Sequence, residues 1–510
     1  MLSDNWRNFK AAWRRYHAWP VLYSAVIANL LTLNFGITLG YASPAIPELR
    51  TDNEVTSIND TSIVFSAMVP FGAMVSAPIA GWLLDTQGRH MALMFCAIPY
   101  TTGWLLIILT RLATGRAFLP ILYIGRFFTG AGMGYATTSV PLYVAELAPY
   151  ALRGLFVGMF GIMLASGVLL IQLCGVIHGA TYYWLPVVPL STIVVYVFVM
   201  AMLTKETPRW LQKTTRTKGA RLVLLWLRGT NYDVDKEQLE ITEQLSSEKR
   251  QSLFLKFKHK SAYYPLFLGV CLTCFRQLGG INVVIFYAEV IFSDVESISE
   301  YADVVSTICV GGSSVVGAIV LFLLIDKFGR RKLLLSGAVL MCLSCAIMGI
   351  YYIFNSKPYC NPDDASNECV DSLFLLPIIS IITYSCGFAS SWGTIPYLVA
   401  AELLPLHVRG AGVGIVSFGG WFSATVLLLA FEPYQETVNP WGAFFTFSLV
   451  MLCAFLFVLK FIPETKGKTL EEIQQNFFKS KAHTTTVAVP NNKTCLSNVD
   501  PPVIYLETTI

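Results

Sequence analysis

Charged residues are scarce in this chain: Asp, Glu, Lys and Arg together make up 13% of its 510 residues. Apolar residues make up 55%, and the mean hydropathy is +0.58. Soluble globular proteins carry about 25% charged residues. The composition therefore excludes an ordinary water-soluble fold and places the chain in a lipid bilayer.

The sequence patterns of the common enzyme classes are also missing. The chain has no Walker loop, no nucleophile elbow and no Cys/His spacing of a metal site. We therefore expect no enzymatic activity, no metal, no cofactor and no nucleic-acid partner. A cleavable signal peptide is not expected, because the first 15 residues are polar and basic and the first apolar run is long enough to span a membrane.

Twelve apolar segments have the length of about 20 residues that a membrane-spanning helix needs. They lie at about 21–42, 63–84, 91–110, 120–143, 155–177, 184–203, 265–287, 304–325, 333–354, 373–398, 411–431 and 441–461. This pattern predicts an all-α membrane protein of two six-helix bundles. The predicted parts are an N-terminal segment 1–20, a first bundle 21–204, a helical linker 205–262, a second bundle 263–462 and a tail 463–510.

The two predicted bundles repeat the same charged motifs in the same order. ELAPYALRG at Glu146–Gly154 and ELLPLHVRG at Glu402–Gly410 share the template E-L-x-P-x-x-x-R-G. Upstream, DTQGRH from Asp85 corresponds to DKFGRR from Asp326. The chain is a tandem duplication, and two similar membrane bundles around a central site are typical of an alternating-access transporter.

Short cytosolic loops of membrane proteins collect Lys and Arg. The N-terminal segment, the linker and the loops with the repeated arginines are the basic ones, which predicts that both termini are cytosolic. The resident membrane stays open between the plasma membrane and an endomembrane.

The repeated charges fall at the predicted cytosolic ends of spans. Pairs of them would hold neighbouring helices together when that side is closed and would separate when it opens. A positive-inside surface with incidental acids is the alternative, but it does not account for a motif repeated in both halves. The predicted gate residues are Asp85, Arg89, Glu146, Arg153, Glu206, Arg209, Asp326, Arg330, Arg331, Glu402, Arg409 and Glu464.

Seven motifs together resemble those of the sugar porters of the major facilitator superfamily. They are GWLLDTQGRH from Gly81, GRFFTGAGMG from Gly125, PLYVAELAPYALRG from Pro141, KETPRW from Lys205, RQLGGIN from Arg276, DKFGRR from Asp326 and PETKGKT from Pro463. The resemblance runs from about residue 20 to 475, and it implies a twelve-helix fold that carries a sugar or polyol. It also assigns the repeated charges to a gate, although Thr86 and His90 stand where a basic residue is usual. The loop lengths are similar to those of hexose carriers often kept in internal membranes.

The resemblance implies a substrate site on spans seven, eight, ten and eleven. By that resemblance, Gln277, Asn282 and Tyr287 would bind sugar hydroxyls or gate access, and Trp421 would cover the ring. The chain departs from the pattern at several other positions. Gly161 stands where a glutamine is common on span five, and its neighbour on span seven is Arg276. Tyr397 replaces a tryptophan, Gly420 replaces an asparagine and Ser314 replaces an amide. The sugar porters therefore predict transport here without predicting glucose as the substrate.

Arg276 is the most informative departure, because a charge near the middle of the bilayer is costly unless it faces a wet cavity or a partner. We expect Arg276 to select a substrate rich in acceptor oxygens or negative charge. The alternative is a structural role, in which the guanidinium snorkels or bonds to helix carbonyls. The site residues are Arg276, Gln277, Asn282, Tyr287, Ser314, Tyr397 and Trp421.

Span one carries Gly40-Tyr41-Ala42, where proton-coupled relatives have an aspartate after the Gly-Tyr pair. This difference favours uniport over proton symport. A carrier of a disaccharide or an organic anion remains an alternative. A transporter-like nutrient sensor is another, although such sensors have a long cytosolic extension.

Three further expectations concern loops and the tail. Asn59-Asp-Thr61 is a glycosylation acceptor in the first outer loop. Cys360 and Cys369 share the predicted loop between spans nine and ten, where a disulfide could form. The terminal sequence ETTI, ending at Ile510, suits capture of its free carboxylate by a PDZ domain, with chance as the alternative.

Overall fold

The computed structural model describes residues 18–51, 58–113, 117–149, 152–178, 181–230, 232–246, 260–285, 305, 307–355, 375–405 and 408–467. Within these ranges the regular structure is helical and contains no strand. The expectations for the Asn59 side chain, Tyr287, Cys360, Cys369 and both chain ends fall outside the described part.

The first six predicted spans are helices. Their bounds are Trp19–Gly40 for span one, Ile58–Thr86 for span two, Arg89–Phe95 with Ala97–Leu109 for span three, Phe118–Leu147 for span four, Arg153–His178 for span five and Val187–Leu203 for span six. Span one is followed by a further helix at Ala42–Thr51.

Three short helices of the linker follow, at Pro208–Lys213, Thr217–Arg228 and Val234–Ser246. They lie against the first half: Arg228 Nη1 donates to the carbonyl oxygen of Leu147 at 3.0 Å, and the Trp226 ring packs 5.7 Å from that of Tyr23. The end of the molecule on which these helices lie is called the linker face below.

The second half repeats the arrangement, with two irregular spans. Span seven is Lys260–Leu278 and continues to Ile285, span eight is Thr307–Gly312 with Ser313–Phe328, and span nine is Arg330–Asn355. Span ten is Leu375–Gly387, a π-helical turn at Phe388–Trp392, and Ile395–Leu403. Spans eleven and twelve are the helices Arg409–Phe431 and Thr437–Phe461, and the chain leaves helical geometry between them at Asn439, where φ is 63° and ψ is 160°.

The described helices have the dimensions and surface of a multi-pass membrane protein. Ten of them are long and apolar enough to cross a bilayer by length and composition. Span four is 30 residues long, and span six is a shorter apolar helix. Large apolar side chains such as Val194 and Leu323 are more than half exposed, whereas polar Asn29 and Thr32 are fully buried. This distribution fits lipid as the surrounding solvent, and it confirms the predicted all-α membrane fold.

The two halves meet along two equivalent pairs of helices. Span two packs along span eleven, and span five packs along span eight. Gly81 and Gly414 let spans two and eleven approach closely, because a Cβ atom on Gly81 would lie 3.1 Å from the Gly414 Cα. The pairs frame a central cavity and bring the charged motifs together at the linker face.

Candidate functional site

Two carboxylates connect the halves at the linker face. Asp85, at the end of span two, accepts a hydrogen bond from the backbone N–H of Ala411 in span eleven at 2.9 Å. Asp326, at the end of span eight, accepts one from the backbone N–H of Leu155 in span five at 2.8 Å. The first turn of a helix has unpaired N–H groups and a partial positive charge, so it is a natural partner for a carboxylate.

The glycine of each R-G pair makes this contact sterically possible. A Cβ atom on Gly154 would lie 2.1 Å from Asp326 Oδ1, and one on Gly410 would lie 2.6 Å from Asp85 Cγ. Real Cβ atoms do not approach other atoms so closely. The acid and the glycine of the repeated motifs are therefore partners across the interface between the halves.

Buried arginines hold these acids from within each half. Arg89 Nη2 lies 3.0 Å from Glu146 Oε1, and its Nη1 lies 3.8 Å from Asp85. Arg330 lies 3.0 Å from Asp326 and 3.2 Å from Glu402. Since both arginines are almost fully buried, removal of one partner would leave an uncompensated charge.

Glu206 and Glu464 hold helix ends within their own halves. Glu206 accepts hydrogen bonds from the backbone N–H groups of Arg89 and His90, both at 3.0 Å. Glu464 does the same for Arg330 and Arg331, at 3.0 and 3.1 Å. The structure thus places these two glutamates at the first turns of spans three and nine rather than between the halves.

The remaining predicted gate residues also lie at the linker face. Arg409 donates from Nε to the carbonyl oxygen of Leu404 at 3.1 Å, and both Arg409 and Arg209 act electrostatically on Glu146. Arg331 donates to the carbonyl oxygen of Leu459, and Arg153 is buried at the start of span five.

Lys213, which the motifs do not single out, lies 3.5 Å from Asp85. Lys213 belongs to the linker, which is not part of the tandem duplication, so the second half has no equivalent position.

A cavity lies between the halves, with walls from spans one, five, seven, eight, ten and eleven. The empty space is about 580 Å³, counting the part open to solvent. The lining residues are Leu39, Gly161, Leu164, Ala165, Val168, Arg276, Ile281, Asn282, Ile285, Val310, Ser314, Phe388, Ala389, Gly393, Thr394 and Trp421.

Four of the seven predicted substrate residues line this cavity: Arg276, Asn282, Ser314 and Trp421. Gln277 is behind them, with its Oε1 accepting a hydrogen bond from Asn282 Nδ2 at 3.1 Å. Trp421 Nε1 donates to Thr137 Oγ1 of the first half at 3.2 Å, which links the halves beside the cavity.

The Arg276 guanidinium lies between two aromatic rings. Its carbon is 5.1 Å from the centroid of Phe388 and 5.2 Å from that of Tyr397, the sixth predicted residue. The side chain is 2% exposed. Among the described residues, no acid forms an ion pair with it.

Phe388 and Thr394 line the cavity but were not predicted as site residues. Phe388 begins the π-helical turn of span ten, and Thr394 follows the end of that turn. The available signal was the pair Gly387 and Gly393, which bracket the turn. An amide, hydroxyls, an indole and a guanidinium offer hydrogen bonds to a polar solute, and none of the lining side chains is an acid. No cluster in the described part of the chain has the His, Cys, Asp and Glu side chains needed for a metal ion.

The twelve spans found within the described residues, arranged in two similar halves around a central cavity, define a secondary transporter with the major facilitator fold. The solved structure of the proton:xylose symporter XylE bound to 6-bromo-6-deoxy-D-glucose shares this fold. It matches with a TM-score of 0.78 and 23% identity, over 89% of this chain and 98% of that one.

Residues 25–477 match the sequence model of the family described as "Sugar (and other) transporter", and the chain belongs to this family. "Solute carrier family 2, facilitated glucose transporter member 8" of Bos taurus is 34% identical over 90% of this chain and 94% of its own length. "Facilitated trehalose transporter Tret1" of Apis mellifera ligustica is 29% identical, over 92% and 90%.

The resemblance seen in the sequence is thereby confirmed: the protein is a multi-pass sugar transporter and not an enzyme.

Proposed function

We propose that this transporter moves a monosaccharide or a related polyol down its gradient by alternating access. The observation that carries the proposal is the pair of equivalent contacts from Asp85 to Ala411 and from Asp326 to Leu155. Both must break before the halves can separate at the linker face. The cavity, framed by both halves, would then be exposed on that side.

The gate would have two kinds of members. Asp85, Asp326 and Arg409 act between the halves. Arg89, Arg330 and the glutamates they contact hold those groups in place within each half. We infer that the linker face is cytosolic, because basic residues are concentrated there and in the N-terminal segment.

Asn282, Ser314 and Trp421 would bind the sugar. An amide offers both a donor and an acceptor to a hydroxyl pair, and the indole ring would cover the apolar face of the pyranose. Phe35 packs against Trp421 with its ring centroid at 5.8 Å and so holds the indole in place from the first half.

Uniport is the mechanism we propose, because the chain has no carboxylate at the place where a proton would be carried. Span one, Trp19–Gly40, contains no acid, and Ala42 follows Tyr41. None of the cavity-lining side chains is an acid either. Two relatives, a facilitated glucose transporter and a facilitated trehalose transporter, support this assignment by their names.

The test is uptake by the purified full-length protein in proteoliposomes. Labelled glucose, xylose, a polyol and trehalose would be offered, with empty liposomes as the control. We expect saturable uptake of a monosaccharide or polyol, accelerated by unlabelled substrate inside, since the loaded carrier returns through the same cavity. Uptake of trehalose without uptake of the other substrates would show that the protein carries a disaccharide and not a monosaccharide. No flux of any sugar in either direction would contradict the proposed function and favour a non-transporting sensor.

Four further predictions, on glycosylation, a disulfide, a PDZ partner and the resident membrane, have simple tests. Treatment with a glycosidase would shift the electrophoretic mobility of the protein if Asn59 is glycosylated. A reducing agent would change the mobility if Cys360 and Cys369 form a disulfide. A peptide ending in Ile510 would bind PDZ domains with a free carboxylate and not as its amide. Microscopy of the tagged full chain would distinguish the plasma membrane from an endomembrane.

A further inference from the structure

Arg276 is a buried cation whose charge is not neutralised within the described part of the protein. It lies in the wall of the central cavity, and its Nε is buried without a hydrogen-bond partner. The rings of Phe388 and Tyr397 stabilise a cation through their faces, but they supply no negative charge. A charged side chain at this depth is costly without a partner, and such residues typically lie on a substrate path.

The groups around Arg276 also lack hydrogen-bond partners. Gln277 Nε2, Thr394 Oγ1 and Tyr397 Oη are buried and unpaired among the described residues. All three can donate a hydrogen bond. Buried polar atoms are nearly always paired, so a group of unpaired donors in and behind one cavity wall indicates that a ligand supplies the acceptors.

Gly161, on span five of the first half, lines the cavity without a side chain that would fill it. A Cβ atom at this position would lie 2.7 Å from Thr394 Oγ1, so any larger residue would displace that hydroxyl or cover it. Gly161 and Arg276 line the same cavity from different halves. A glutamine is usual at the Gly161 position in the hexose carriers that the sequence resembles. This cavity therefore has no amide at that position on span five, and it carries a guanidinium on span seven.

We propose that the cavity binds a sugar-sized polyol that carries one anionic group, and that Arg276 binds the anion. The planar guanidinium fork suits a carboxylate or a phosphate, which it can bind through two parallel hydrogen bonds. The hydroxyls of Thr394 and Tyr397 donate further hydrogen bonds to the oxygens of the anionic group. Asn282 and Ser314 bind the neutral hydroxyls of the substrate. The inference rests on the proposed function, because it names the substrate class of the same site.

The experiment compares D-glucose with D-glucuronate, which differ only at C6, using the full-length protein in proteoliposomes. D-glucose 6-phosphate is the third substrate and distinguishes a phosphate ester from a carboxylate. We expect the wild type to take up one of the two anionic sugars in preference to glucose. Arg276→Gln should lower that uptake ratio by about tenfold or more, which is the effect of losing a charge-assisted hydrogen bond. Arg276→Lys should retain part of the preference, because the charge stays and the fork is lost.

Arg111→Gln is the matched control. Arg111 is an arginine over an aromatic ring as well, 4.9 Å from the centroid of Tyr183, but it is exposed and does not line the cavity. Arg111→Gln should leave the uptake ratio unchanged. This result would show that the effect of Arg276→Gln comes from the cavity and not from the loss of one positive charge.

A binding measurement on the wild-type protein tests the proposal even if the Arg276→Gln variant fails to fold. At equal concentration, the preferred anionic sugar should raise the melting temperature of the wild type more than glucose does. Equal stabilisation by all three sugars, or an unchanged uptake ratio in folded Arg276→Gln, would overturn the proposal. Glucose transport would then still support the proposed function, whereas the absence of all sugar transport would contradict that function itself.

Discussion

The Asp85 carboxylate accepts a hydrogen bond from the backbone N–H of Ala411 at 2.9 Å, across 326 positions of the chain. Asp326 makes the equivalent contact with Leu155 across 171 positions. Each contact pairs a side chain of one half with the main chain of the other. The linker face is therefore held closed by two carboxylates, each of which accepts a hydrogen bond from the first turn of a helix in the other half.

Asp85→Asn should weaken the closed linker face. The change keeps an acceptor but removes the charge that interacts with the N-terminus of span eleven, an effect of about 0.3–2 kcal/mol. Spin labels at Lys218→Cys and Lys327→Cys, in a background without reactive cysteines, would report the separation of the halves. We expect longer distances in Asp85→Asn, and still longer ones when Asp326→Asn is added.

Asp235→Asn is the control for that experiment. Asp235 pairs with Arg221 on the exposed surface of the linker, where ion pairs contribute little. The distances between the two spin labels in Asp235→Asn should match those of the wild type. If Asp85→Asn also matched the wild type, the contact with Ala411 would not hold the face closed.

Gly154→Ala should open the same face by steric pressure. The added Cβ atom would collide with Asp326 Oδ1, so the carboxylate must move away from Leu155. Gly312→Ala is the matched control, because a Cβ atom there has no neighbour within 4 Å. We expect a shift in the spin-label distances for the first variant only. Equal behaviour of the two alanine variants would show that close approach at Gly154 is dispensable.

Gly88→Ala should destabilise the first half. Gly88 has a φ of 100°, which L-residues rarely adopt, and its Cβ atom would lie 2.3 Å from Glu206 Oε2. With ψ at 168°, Gly88 lies in a backbone region that is essentially confined to glycine, so backbone strain alone costs about 1–3 kcal/mol. Displacement of Glu206 would add the loss of its bonds to the start of span three. Gly467→Ala supplies the comparison, since its φ is 71° and its Cβ atom would meet nothing. Thermal unfolding in detergent should show a larger loss for Gly88→Ala, and equal losses would leave Glu206 without a stabilising role.

Sugar uptake should be independent of a proton gradient. Without a carboxylate in span one, the chain lacks the group expected to couple proton entry to the sugar. Proteoliposomes with an imposed pH gradient should reach the same internal sugar concentration with and without a protonophore. Accumulation above the external concentration that a protonophore abolishes would show symport.

Helix positions were predictable because a bilayer requires long apolar segments, and length and apolarity are visible in the sequence. The π-helical turn of span ten was not predictable, since Gly387 and Gly393 indicate where the helix can loosen but do not determine the hydrogen-bond register between them. The π-helical turn at Phe388–Trp392 rotates the helix there. This turn brings Phe388 into the cavity wall, and sequence reasoning therefore missed it.

The charged pairs at the linker face were partly predictable. Opposite charges repeated in both halves indicate that groups such as Arg89 and Glu146 meet, and they lie 3.0 Å apart. The backbone partners of Asp85, Asp326, Glu206 and Glu464 were not predictable, because backbone N–H groups are the same in every residue except proline. Only the fold determines which of them face a carboxylate.

This use of main-chain donors determines which positions can vary as the sequence diverges. Leu155 and Ala411 occupy equivalent places in the two copies, yet their side chains differ, because any residue but proline supplies the same N–H. The aspartates and the glycines next to these donors have no such freedom. Mutational drift after the duplication could therefore alter most of the surrounding residues while the acid, the arginine and the glycine stayed recognisable in both copies.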